Sequence, residues 1–154
     1  MSKIEDMAIK GPMSAYDLLD EVARLADEEP RRINIKHWRL TRSAVHATGG
    51  VPDRLQVEWP DCGTIGCIAG WCSVLLGIED AVALYDYDPV PRALKLDLGQ
   101  TRDLFMPPDL IYRGKPAGTR EHADEVIDHI RKFQRDNEAQ LRGTTVYPQQ
   151  EAAQ

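Results

Sequence analysis

The sequence predicts a mainly α fold: a small single-domain helical protein around a buried, Gly-rich central helix, with a minor β-hairpin. Three observations lead there. Residues 14–28 repeat apolar side chains at intervals of three and four, residues 62–77 (CGTIGCIAGWCSVLLG) are apolar on every helical face, and residues 119–141 return to the three-and-four period. A chain of 154 residues, 42% apolar and 29% charged, is long enough to bury one core around them.

Ser14 suits a helix N-cap, with Asp17 near the positive end of the dipole. Behind it Leu18, Leu19, Val22, Leu25 and Ala26 form one buried stripe, and Pro30 stops the helix near residue 28. From 31 to 60 the period falls to two. Ile33 and Ile35, then Leu55, Val57 and Trp59, alternate with polar neighbours around a Thr-Gly-Gly-Val-Pro-Asp loop. Alternation favours a hairpin with a long connection; the other reading is extended chain laid over the core. Trp38 and Trp59 are expected to cover the central helix.

The central helix is expected over about 63–76, with Gly77 as a left-handed exit. Gly66, Gly70, Ser73 and Gly77 fall on one stripe; Ile65, Ile68, Cys72 and Leu75 on a second; Cys67, Trp71 and Val74 on a third. No stripe is polar, so the helix belongs inside the domain. Each interior glycine weakens a helix by about 1 kcal/mol relative to alanine, so the small stripe implies a close neighbour or a ligand.

Downstream, residues 81–85 (AVALY) read as a short helix, and Pro89 and Pro91 punctuate the chain. Ala93, Leu94, Leu96 and Leu98 read as buried, and Thr101 to Met106 as one or two helical turns before Pro107-Pro108. Thr119 caps a last helix whose buried face is Ala123, Val126, Ile127, Ile130 and Phe133, running to about Leu141 with Gly143 just beyond. Residues 1–13 and 143–154 lack a period and read as flexible ends around a domain over 14–142.

The chain resembles a family of small bacterial and phage proteins with a Cys-Gly-Thr-x-x-Cys-x-Ala-Gly-Trp core, present here from Cys62-Gly63-Thr64 to Trp71. Flanking features agree: Glu29-Pro30 after a leading helix, Asn34-Ile35-Lys36-His37-Trp38, the Leu96-to-Pro107 segment, and a helix from Ala123 to Phe133. The likeness spans residues 14–135, and the stretch between Trp38 and Cys62 is longer here. The resemblance implies a mostly helical domain and no particular activity.

Four chemistries compete with plain packing. Cys62, beside a helix start near Gly63, would sit where the dipole favours a thiolate, and a catalytic thiol would need a histidine such as His37 or His122 beside it. The competing reading is an inert buried cysteine. A redox pair fails for Cys67 and Cys72, because five helical residues rise about 7.5 Å, beyond normal disulfide reach. Cys62 and Cys67 could pair only if Cys62 folds back. No Cys-x-x-Cys is present, and His122, Glu125 and His129 on one side of the last helix read as a polar border rather than a metal site. Gly63, Thr64 and Gly66 could offer N–H groups and a hydroxyl to an anion, although no Walker lysine follows and Thr64 could simply cap the helix. No metal or cofactor is expected.

The formal net charge of −6 disfavours generic nucleic-acid binding. The basic cluster Arg31, Arg32, Lys36, Arg39 and Arg42 reads as a solvated face. No secretory signal is expected, the apolar run is shorter than the ~20 residues that cross a bilayer, and three cysteines suggest reduced thiols in the cytoplasm. The leading expectation is a non-enzymatic accessory or interaction protein of bacterial or phage origin, binding a protein partner or its own copy. The rival is a small thiol-dependent hydrolase or redox enzyme using Cys62. An exposed apolar patch would favour the first, and a cleft joining Cys62 to His37 or His122 the second.

Overall fold

The computed structural model describes residues 4–35, 39–41, 64–78 and 89–149. The protein is mainly helical, as the sequence predicts, with two small pairs of antiparallel strands where one hairpin was expected. In chain order its elements are β1 (Met13–Ser14), α1 (Ala15–Glu28), β2 (Arg39–Thr41), β3 (Thr64–Gly66), α2 (Ile68–Leu75), α3 (Pro89–Ala93), α4 (Leu98–Phe105), α5 (Pro108–Arg113), α6 (Arg120–Asp136), α7 (Glu138–Gly143) and β4 (Thr145–Val146).

Helix α1 follows its pattern closely. The Ser14 side chain accepts a hydrogen bond from the Asp17 N–H at 3.0 Å, and Leu18, Leu19, Val22, Leu25 and Ala26 are all buried. The N–H of Glu29 closes the last turn on Leu25, and Pro30 begins a short 3₁₀ turn, Pro30–Arg32. Helix α6 is its main packing partner. Thr119 caps α6 by accepting from the His122 N–H at 3.1 Å, and Ala123, Val126, Ile130 and Phe133 face the core. Ile127, expected on that face, is only half-buried at its edge. Two polar struts tie the helices: Arg120 with Asp27 at 2.8 Å, and Arg131 with Asp20. Gln134, buried between them, donates to the Tyr16 carbonyl at 3.0 Å and to the Asp20 carboxylate at 2.9 Å.

Helix α2 is buried along its whole length, as its three apolar stripes require. Its start is corrected. Residues 64–66 are the strand β3, which pairs with β2 through Arg39 with Gly66 and Thr41 with Thr64. The helix begins at Ile68 behind Cys67, whose backbone is still extended. The hairpin expectation is also moved. Its strands are 39–41 and 64–66, while Ile33 makes a single parallel bridge to Gly66. Leu55, Val57, Trp38, Trp59 and the short helix expected over 81–85 lie outside the described residues.

The exit of α2 matches expectation and shows why glycine is needed. Gly77 has φ of 75°, the Gly77 N–H donates to the Val74 carbonyl at 3.0 Å, and the Ile78 N–H to the Ser73 carbonyl at 2.9 Å. This is a Schellman closure, and a side chain in that conformation costs about 1–2 kcal/mol.

Two expectations about the ends are overturned. The last helical stretch breaks at Asn137, so α6 and α7 are separate, and Gly143 is the final residue of α7 rather than a cap beyond it. The described parts of the segments flanking the expected domain, up to residue 13 and from 143 to 149, are also packed. β4 pairs with β1 through Met13 with Val146 and Ser14 with Thr145, and the Ala15 N–H donates to the Thr144 carbonyl at 2.8 Å. The Ile9 N–H reaches the Leu75 carbonyl at 2.8 Å and the Gln149 N–H the Leu76 carbonyl at 2.7 Å, while Val146 and Pro148 are buried. The two ends lack a period because each is held by the other and by the end of α2, not by its own helical face.

Two stability outcomes follow. A chain ending at Gly143 should lose at least about 1.5–3 kcal/mol, the worth of one fully buried valine, with further loss from the freed carbonyls. Gly77→Ala should cost about 1–2 kcal/mol. Denaturant unfolding checks both, and an unchanged midpoint for the truncation would mean the β1–β4 pairing carries no stability.

Candidate functional site

The described chemistry-bearing side chains near α2, Cys67, Cys72 and His122, are buried in the core. Cys67 is the N-cap: its Sγ accepts from the Gly70 N–H at 3.4 Å, and its carbonyl accepts from the Trp71 N–H at 3.0 Å. The helix start therefore presents Cys67 to the positive end of the dipole. Burial nevertheless raises the Cys67 thiol above its ordinary value, outweighing the backbone N–H groups that favour the thiolate. Burial likewise raises Cys72, whose nearness to Cys67 adds to the effect. Neither is in a disulfide. Cys62, Gly63 and His37 lie outside the described residues.

His122, weighed as a catalytic partner, is a core residue. The Ile35 N–H donates to its Nε2 at 3.3 Å, which makes that nitrogen an acceptor. Around it, the Asn34 N–H donates to the Gly66 carbonyl at 3.0 Å and the Trp71 Nε1 to the Arg32 carbonyl at 2.7 Å. Residues 32–35 thus lace β3, α2 and α6 together. Of the anion cradle expected of Gly63, Thr64 and Gly66, Gly63 lies outside the described residues. Thr64 and Gly66 belong to a paired strand rather than to a helix start.

His122, Glu125 and His129 do not converge either. The Glu125 carboxylate accepts from the Lys115 N–H at 2.6 Å, and the His129 Nε2 meets the Asp103 carbonyl at 2.7 Å. Among the described residues no group of three His, Cys, Asp or Glu side chains is placed to hold a metal ion.

An open groove of about 550 Å³ runs between α1 and α6, lined by Ala23, Arg24, Asp27, Asp124, Ile127, Asp128 and Arg131. Most of its charges are already matched. Arg24 is held by Glu21 at 2.7 Å and Glu28 at 2.8 Å, Asp27 and Asp124 by Arg120, and Arg131 by Asp20.

Among the described residues four large apolar side chains are exposed: Leu98 and Met106 at the two ends of α4, Tyr112 on α5, and Tyr147 after β4. The inner side of α4 is firmly seated. Asp97 and Gln100 form a reciprocal capping box, the Gln100 Nε2 reaches Asn137 at 3.0 Å and Gln140 at 2.7 Å, and Leu104 and Phe105 are buried. Its outer side carries Leu98, 66% exposed, one turn before exposed Arg102, with Met106, 52% exposed, at the C-cap. Leu98 was expected in the core; as the first residue of α4 it points away from it. On α5, Leu110 and Ile111 pack partly against the core and leave Tyr112 83% exposed beside exposed Arg113. Helix α5 was not anticipated from the sequence. Pro107-Pro108 reads as a breaker, yet Pro108 occupies the first helical turn, where no backbone N–H is required. The Pro89-to-Ala93 turn that forms α3 escaped notice for the same reason.

Because both thiols are raised, the unfolded chain releases their protons first as pH rises past the ordinary thiol value of 9.0. Their contribution to stability is full below that value and lost above it, by up to about 1.4 kcal/mol per pH unit for each thiol. Unfolding titrations from neutral to alkaline pH should show this slope, and Cys72→Ala should lessen it, leaving the contribution of Cys67. Thiol reagents should modify Cys67 and Cys72 slowly in the folded protein and quickly in denaturant; rapid native labelling of either residue, located by mass spectrometry, would contradict their burial.

No family model, curated protein or solved structure matches the chain.

Proposed function

We propose that this is a non-enzymatic accessory or interaction protein that acts in the cytoplasm and works by presenting the α4–α5 surface to a protein partner. The observation that carries this reading is the pairing of a firmly seated inner side with three large exposed apolar side chains, Leu98, Met106 and Tyr112. Single exposed apolar residues are ordinary, but an aromatic, a methionine and neighbouring arginines match the composition of interface cores. The fate of the described reactive groups supports it. Cys67 caps a helix, Cys72 is buried, and His122 accepts from a backbone N–H.

No helix among the described residues is long and apolar enough to cross a membrane, and the formal charge of −6 works against a nucleic-acid partner. The Cys-Gly-Thr-x-x-Cys-x-Ala-Gly-Trp core supports a bacterial or phage origin.

The reading is tested by placing a photo-crosslinking amino acid at position 112, at 98, and at exposed Glu121 as a control, in the cells that naturally carry the protein. Discrete adducts of higher mass are expected from 112 and 98 and not from 121. Failure to crosslink at 98 and 112, or equal smears at all three positions, would remove the support for an interaction role.

A further inference from the structure

We draw no further inference here: the strongest candidate, the open groove between α1 and α6, carries no site, because Arg24, Asp27, Asp124 and Arg131 along it are already held in ion pairs within the fold and nothing among the described residues points to a ligand for it.

Discussion

A short helix buried on every side is the constraint on which the rest of this structure depends. Helix α2 has no contact with solvent that would satisfy its terminal N–H and carbonyl groups, and an unpaired buried backbone group costs about as much as a lost hydrogen bond. Each end is therefore closed by something specific. Cys67 accepts at the start, the left-handed Gly77 closes Ser73 and Val74, and the next two carbonyls are met by the two ends of the chain, Ile9 at Leu75 and Gln149 at Leu76. The β1–β4 pairing follows from this, since it brings both ends to the same place.

The same constraint explains where the reactive side chains went. A helix start buried in the core needs an acceptor that tolerates burial, and a neutral thiol meets that need better than a carboxylate. Cys67 fills the position, and its raised proton affinity is the consequence of the burial rather than a sign of catalytic tuning. His122 plays a comparable part on the facing helix. It gives the Ile35 N–H a partner where the chain from residue 32 to 35 crosses between α2 and α6. Residues that look chemical in the sequence serve here as internal hydrogen-bonding groups.

The periphery follows a different logic. α1 packs against both α6 and α2, and the groove between α1 and α6 is largely neutralised by its own ion pairs. α4 is locked on its inner side through Gln100, Asn137 and Gln140, and α5 continues from it after two prolines. Rigid seating of one side makes the outer side a defined surface. Leu98 and Met106 at the two ends of α4 and Tyr112 on α5 are exposed.

Local chemistry alone determined a good deal of this protein. The Ser14 and Thr119 caps, the stripe of α1, the all-apolar character of α2 and the glycine at its exit are readable because each depends on neighbours within one helical turn. The tertiary structure decided what depends on distant residues. Cys67 rather than Gly63 begins the helix because β2 claims residues 64–66 as a strand. Asn137 divides the last helix, with its side chain meeting the Phe133 carbonyl and the Gln100 amide. The polar tail after Gly143 packs because β1 offers a strand edge and α2 offers a carbonyl, neither of which has any signature in the tail itself. The candidate surface was hidden for the same reason. A leucine at position 98 carries the same local pattern whether it turns inward or outward, and only the seating of α4 against α6 and α7 settles which side of it meets solvent.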